Sequence, residues 1–139
     1  MSLNTQTAAQ TANAATLLRV TNGGFLLTHG LIKLLVFTPA GTVGFFESIG
    51  FPGALAYPVI AGEIGLGLAL LAGFQTRLVS LAAFLILLGS IIPHSGAGFL
   101  FSNPNGGWEF PVFWSIILVV QALLGGGAYA VTSRAKSES

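Results

Sequence analysis

The sequence predicts an all-α fold, a bundle of four transmembrane helices with both termini on the cytoplasmic side. Only 6% of the 139 residues are Asp, Glu, Lys or Arg, Asp is absent, and the mean hydropathy is +0.84. The apolar residues also gather in four runs, most of them near the length that crosses a hydrocarbon core, about 20 residues of helix. A water-soluble bundle would need more polar surface than this composition supplies.

The four predicted spans are residues 17–37, 54–74, 78–92 and 110–131. The third run is short and stops at Pro93, while Pro111 suits the first turn of the fourth helix, where a missing N–H does no harm. Gly73 and the glycines at 125–127 stand where helices are expected to end.

The spans make up one membrane domain, residues 17–131, between a polar amino-terminal tail (1–16) and a polar carboxyl tail (132–139). The first tail is rich in Ala, Thr, Gln and Asn and lacks the basic start of a secretory signal, so it is predicted to be retained. The chain is long enough for one domain only.

Basic residues near the span ends predict the orientation. They all fall on the side of the two termini: Arg19, Arg77, Arg134 and Lys136. The two longer loops carry Glu47 and Glu109 but no Lys or Arg. We therefore expect a bacterial inner (plasma) membrane protein with both termini inside, in which Arg19 and Arg77 are interfacial anchors and Glu47 is solvated.

A candidate polar site is predicted in the outer half of the bundle, from His29, Lys33, Glu63, His94 and Glu109. His29 and Lys33 are four residues apart and share a helix face. A charged group at a helix centre costs about 2.5–3.5 kcal/mol on insertion scales, so these groups should face the interior. Glu63, in the middle of its span, is expected to meet Lys33, His29 or His94.

Each of these residues also has a structural interpretation. Lys33 could extend its ammonium to the outer interface along an apolar stem. Glu109 could complement the positive end of the fourth helix. An ion pair of Glu63 could simply hold helices together. The loop from His94 to Pro111 combines turn residues with several aromatic ones, which favours a lid over the outer end of the bundle.

An ordered set of short motifs resembles the DoxX family of small four-helix membrane proteins. The motifs are Leu18-Arg19, His29-Gly30-Leu31-Ile32-Lys33, Gly50-Phe51-Pro52, Glu63 in a Gly-rich helix, Gly73-Phe74-Gln75-Thr76-Arg77, His94 and Asn105-Gly106-Gly107-Trp108-Glu109-Phe110-Pro111. The resemblance runs from about residue 17 to the end of the fourth span.

The resemblance implies a quinone-linked redox role, because DoxX-like proteins are associated with quinone-linked systems, including a thiosulfate:quinone oxidoreductase, and with oxidative-stress complexes. Quinone is then the expected cofactor or substrate. His29, Lys33 and His94 would donate hydrogen bonds to it, and Glu63 and Glu109 would relay protons. Since the sequence has no flavin or dinucleotide motif and no cysteine, electrons would come from a larger membrane or redox partner or from a bound cofactor.

Two other functions fit the same residues. The chain could be a non-catalytic accessory or assembly subunit of a larger membrane complex, so the sequence leaves open whether it is an enzyme. His29 and His94 could also be axial ligands of a haem; no other metal site is expected. Besides the lipid bilayer, no nucleic-acid partner is expected, because the net charge is only +1 and no basic run is present.

Overall fold

The computed structural model describes residues 3–132, with side chains described from residue 5. It is built from helices: α1 (Leu3–Leu31), α2 (Thr38–Ser48), α3 (Ala56–Ala72), α4 (Thr76–His94) and α5 (Glu109–Leu124). A π-helical turn, Ile32–Val36, follows α1, and short 3-10 turns stand at Gly53–Leu55 and Ser95–Ala97. Arg134, Lys136 and most of the predicted carboxyl tail lie outside the described residues.

The four long helices α1, α3, α4 and α5 run alternately up and down. Arg19 of α1 contacts the last turn of α3, and Arg77 of α4 contacts the last turn of α5. We call this side of the bundle the arginine end. Lys33 and the beginnings of α3 and α5 lie at the opposite side, the lysine end. α1 packs mainly on α3 and α4 mainly on α5.

Glycines let α1 and α3 approach at backbone distance. A Cβ atom built on Gly23 would lie 2.9 Å from the carbonyl oxygen of Gly67, and one built on Gly67 would lie 2.7 Å from the amide nitrogen of Leu27. Small residues at such contacts allow the close van der Waals packing that associates helices in lipid. This contact fixes the register of the two helices that carry Lys33 and Glu63.

The chain bends sharply after Lys33. The helix up to Val36 and α2 meet at an angle of 102°, and the bend contains Thr38 with φ of +64°. Thr42 donates a hydrogen bond to the carbonyl oxygen of Lys33, at 3.3 Å. The bend turns α2 across the lysine end, where the sequence analysis expected a loop, so that expectation was wrong.

The two arginines cap helix ends. Arg19 is 2% exposed and donates through Nη1 to the carbonyl oxygens of Leu70 and Leu71, both at 2.7 Å, and through Nε to Gly126 at 2.9 Å. Arg77 Nη1 donates to the last carbonyl groups of α5 at 3.0 Å. The expectation that Arg19 is an interfacial anchor was therefore wrong: it is buried because the free carbonyl groups of α3 need donors.

The ends of the first and fourth spans differ from the expected ones. α1 is helical from Leu3, because the stretch before Gly23 contains no Gly or Pro and the chain after α5 packs on it, with Thr16 donating to the carbonyl oxygen of Ala128 at 2.8 Å. The fourth helix ends at Leu124, before residue 131, because Gly125 adopts a φ of +82°; the expected helix end at the glycines 125–127 is thus confirmed.

By length and composition, Gly53–Ala72 and Thr76–Ala97 are long and apolar enough to cross a membrane within the described part of the chain. The bent pair Thr5–Val36 and Thr38–Ser48 adds a third candidate when it is counted as one span. α5 is apolar but has only 16 residues, which is about 24 Å of helix. The fold is thus helical with two to three candidate spans.

Candidate functional site

Lys33 and Glu63 form an ion pair between α1 and α3. The Lys33 ammonium nitrogen lies 2.8 Å from each carboxylate oxygen of Glu63. The two side chains are 22% and 8% exposed. The expected meeting of Glu63 with one of the neighbouring basic groups is confirmed, with Lys33 as the partner. Lys33 belongs to the π-helical turn at Ile32–Val36, just past the end of α1.

A cavity of about 1300 Å³ opens beside this pair at the lysine end. All five candidate residues of the sequence analysis contribute to its lining: His29, Lys33, Glu63, His94 and Glu109. The other lining residues are mainly apolar, and seven phenylalanines are among them: Phe45, Phe46, Phe51, Phe99, Phe101, Phe110 and Phe113. The few polar groups are therefore set in an apolar chamber, a common pattern in sites for small organic ligands.

His29 presents an unpaired imidazole to the cavity. Its ring packs against Trp114 with the centroids 5.3 Å apart and an interplanar angle of 51°. Within residues 3–132, neither of its ring nitrogens has a hydrogen-bond partner. A neutral imidazole offers one donor and one acceptor, so His29 can donate a hydrogen bond to a ligand or accept one from it.

His94 and Glu109 hold the loop between α4 and α5 in place. The Nδ1 atom of His94 is 2.9 Å from the carbonyl oxygen of Asn105, which can only accept a hydrogen bond, so Nδ1 carries the proton. Glu109 accepts a hydrogen bond from the backbone amide of Phe101 at 2.8 Å. Both side chains thus fix the loop while lining the cavity, and Glu109 also stands in the first turn of α5, as its structural interpretation expected.

The loop itself is packed by aromatic rings. Phe99 and Trp108 meet edge to face, with ring centroids 4.9 Å apart. Trp108 donates its backbone amide to Gly98, and Glu109 donates its own to Phe99, both at 3.1 Å. The loop is therefore a folded part of the wall of the cavity.

Trp114 is a lining residue that the sequence analysis missed. It is buried in the middle of α5, and its indole N–H donates to Asn22 Oδ1 at 3.0 Å. Phe110 and Phe25 also pack against it. The position of Trp114 inside a predicted span could have identified it as a candidate, because a buried indole N–H needs an acceptor.

The arrangement places an ammonium, its paired carboxylate and an imidazole without a hydrogen-bond partner among the described residues at one apolar wall. Within the described residues, no three His, Asp or Glu side chains come together in a way that would hold a metal ion. The haem alternative rests on His29 and His94, which line the same cavity. The groups are suited to bind and protonate an uncharged, mostly apolar ligand.

A family model described as DoxX matches residues 14–103. A curated relative from Bacillus subtilis (strain 168), named "Putative oxidoreductase CatD", is 41% identical over 76 residues. The match covers 55% of this chain and 55% of that relative, so the chain spans about half the length of the protein it resembles. No solved structure matches it.

Proposed function

The chain belongs to the DoxX family, and from this premise we propose that it is a membrane redox component that binds a quinone in the cavity beside Lys33 and Glu63. One observation carries the proposal: an ion pair and an unpaired imidazole stand at the wall of a mainly apolar chamber. A quinone has the matching chemistry, with two carbonyl acceptors on a flat apolar ring and a hydrocarbon tail.

The size of the cavity supports this class of ligand. Small-molecule pockets have volumes of about 300–1000 Å³. A chamber of about 1300 Å³ holds a quinone ring together with part of its tail. The aromatic side chains of the walls, among them Phe45 and Phe110, would stack on the ring and contact the tail.

The candidate residues have distinct roles in this proposal. The Lys33 ammonium and the His29 ring would donate hydrogen bonds to the carbonyl oxygens. Glu63, already paired with Lys33, would pass protons to the bound ring. His94 and Glu109 would shape the wall through the loop that they hold.

Reduction of a quinone to a quinol takes up two electrons and two protons. The chain itself has no cysteine and no dinucleotide-binding motif, so the electrons would be supplied by a separate redox partner. The name of the Bacillus subtilis relative, "Putative oxidoreductase CatD", agrees with this class of reaction.

We further propose a four-span topology in the bacterial inner membrane, with both termini in the cytoplasm. The alternating directions of α1, α3, α4 and α5 support it, and so does the position of Arg19 and Arg77 at one end. α5, at about 24 Å, is shorter than the hydrocarbon core of about 30 Å, so the bilayer would thin beside it.

Binding of a short-chain quinone to the purified chain in lipid nanodiscs tests the site. Trp114 lines the cavity, so quenching of tryptophan fluorescence should report a bound quinone. We expect saturable quenching, with a quinone affinity at least tenfold weaker in a Lys33→Met, Glu63→Gln double variant. Glu47→Gln is the matched control, because Glu47 is exposed and does not line the cavity. Equal affinity in all three proteins would refute the site.

An accessory role is the second candidate, and the exposed apolar loop favours it. Leu100 and Phe101 are 52% and 69% exposed at the lysine end, where a larger protein could cover them. Gentle-detergent purification distinguishes the two roles. A stoichiometric complex whose turnover survives the Lys33 and Glu63 substitutions would establish the accessory role. An absorption spectrum of the purified chain without a Soret band would exclude the haem alternative.

A further inference from the structure

Four buried polar atoms lie outside the cavity and have no hydrogen-bond partner among the described residues. They are Asn22 Nδ2, Thr76 Oγ1, Ser80 Oγ and Gln121 Oε1. None of the four residues is more than 3% exposed. A buried donor or acceptor without a partner is destabilising, and native proteins contain few of them. Four in one small bundle therefore require an explanation.

The four residues face the same interior. Thr76 and Ser80 are four residues apart on α4, on the buried face that continues with Ala83. Gln121 belongs to the buried face of α5, and Asn22 faces that helix through its hydrogen bond with Trp114. All of them point into the centre of the bundle rather than toward lipid.

They also stand at successive levels between the cavity and the arginine end. Asn22 is level with Trp114, which lines the cavity. Gln121 is seven residues further along α5, about 10 Å away, and donates to the carbonyl oxygen of Ala15 at 3.2 Å. Arg77 of α4 bonds to the last turn of α5, and Ser80 is three residues further along α4 toward the cavity. Ser80 therefore lies between the levels of Gln121 and Trp114.

The lower end of this series reaches the arginine end itself. A Cβ atom built on Gly126 would lie 3.1 Å from Thr76 Oγ1, and Gly126 accepts a hydrogen bond from Arg19. Carbonyl groups and a guanidinium are thus found at one end, and the indole of Trp114 at the other. Between the two ends, hydroxyl and amide groups provide donors and acceptors on three different helices.

We propose that Asn22, Ser80, Gln121 and Thr76 bind a file of internal water molecules that carries protons between the arginine end and the cavity. Buried waters typically make about three hydrogen bonds to polar groups that lack protein partners, as these do. Hydroxyl and amide groups stay uncharged, so they would orient the waters while the proton moves along them. Only the use of the protons, in quinone reduction, rests on the proposed function.

Exchange at Trp114 tests the path. The chain has two tryptophans, so ¹⁵N-Trp labelling gives two indole signals, with Trp108 in the loop as the internal reference. A Thr76→Val, Ser80→Ala, Gln121→Leu variant removes the polar groups below Trp114. We expect its Trp114 indole to exchange with deuterated solvent at least tenfold more slowly, with Trp108 unchanged. Unchanged exchange at Trp114 would overturn the path.

The unfolding midpoint of a single variant provides a second test in case the triple variant does not fold. If water satisfies the Ser80 hydroxyl, Ser80→Ala leaves that water short of a partner and lowers the unfolding midpoint. If the site is dry, the same substitution removes an unpaired hydroxyl and raises it. A raised midpoint would therefore overturn the proposal, and a lowered one supports it.

The two proposals fail separately. Thr76, Ser80 and Gln121 do not line the cavity, so the triple variant should leave quinone quenching unchanged. If Trp114 exchanges equally fast in the triple variant and the unmodified chain while quinone binding is intact, only the water file is rejected. Absence of quinone binding in the unmodified chain, with the exchange effect intact, would reject the proposed function alone.

Discussion

The ammonium group of Lys33 bridges both carboxylate oxygens of Glu63, at 2.8 Å from each. The two groups satisfy each other, but substituting Lys33 and substituting Glu63 should lower the stability by different amounts. Lys33→Met leaves a carboxylate without its counter-charge, which costs about 3–5 kcal/mol when a buried pair is broken. Glu63→Gln keeps a hydrogen-bonding amide and should cost less. Unfolding midpoints in detergent would measure the difference, and equal losses would contradict it.

A double variant sharpens that comparison. Lys33→Met with Glu63→Leu removes both charges and should recover most of the stability that Lys33→Met alone loses. Glu47→Gln, at an exposed carboxylate, should change the midpoint little. A double variant less stable than Lys33→Met would mean that the pair is not the main source of the loss.

The two arginines should respond differently to lysine. Arg19 bonds through three nitrogens, Nη1, Nε and Nη2, to carbonyl groups on different segments, and one ammonium cannot reach them all. Arg77 uses Nη1 alone for both of its bonds, which an ammonium can reproduce. We expect Arg19→Lys to lower the unfolding free energy by about 2–3 kcal/mol. Arg77→Lys should cost clearly less in the same thermal melt.

Gly23 and Gly24 offer neighbouring positions with opposite surroundings. A Cβ on Gly23 meets the backbone of α3 at 2.9 Å, whereas one on Gly24 has nothing within 4 Å. Gly23→Ala should therefore destabilise the α1 and α3 contact by about 1–3 kcal/mol. Gly24→Ala should be neutral or slightly stabilising, because Ala favours helix over Gly. A similar melting temperature for both variants would argue against the close helix contact.

Thr38 stands in the left-handed region with φ of +64°, which is unfavourable for a β-branched residue. Its hydroxyl accepts a hydrogen bond from the Gly41 amide at 3.2 Å. Asn tolerates this backbone conformation and can accept the same hydrogen bond. We expect Thr38→Asn to stabilise the protein by about 0.5–1 kcal/mol, as determined by thermal unfolding, with Thr38→Val destabilising it.

Single cysteines can map the topology, because the chain has none of its own. Ala8, Ser48 and Ser102 are exposed. In right-side-out vesicles, a membrane-impermeant maleimide should label Ser48→Cys and Ser102→Cys, and should label Ala8→Cys only after lysis. Labelling of Ala8→Cys together with the other two in intact vesicles would refute the proposed orientation.

The sequence was most informative where charges are rare. Glu63 could be given a short set of possible partners in advance, Lys33, His29 or His94, because a charge deep in lipid requires a partner. The structure shows Lys33 as the partner. The burial of Arg19 could not be foreseen, since its acceptors are carbonyl groups that become free only at the end of a folded α3. The helix ends at Gly73 and Gly125, by contrast, could be predicted, because glycine favours the positive φ that both positions adopt.

The bonds of Arg19 also impose an order on biosynthesis. Its acceptors in α3 are 51 and 52 residues downstream, but its acceptors after α5, Gly126 and Ala128, are 107 and 109 residues downstream. The guanidinium therefore leaves the ribosome long before its last partners exist. The first helical hairpin can form while α4 and α5 are still being translated, but its arginine acquires its full set of acceptors only after Gly126 and Ala128 have been translated. Truncation after α4 would thus leave a nascent chain with a half-satisfied cation.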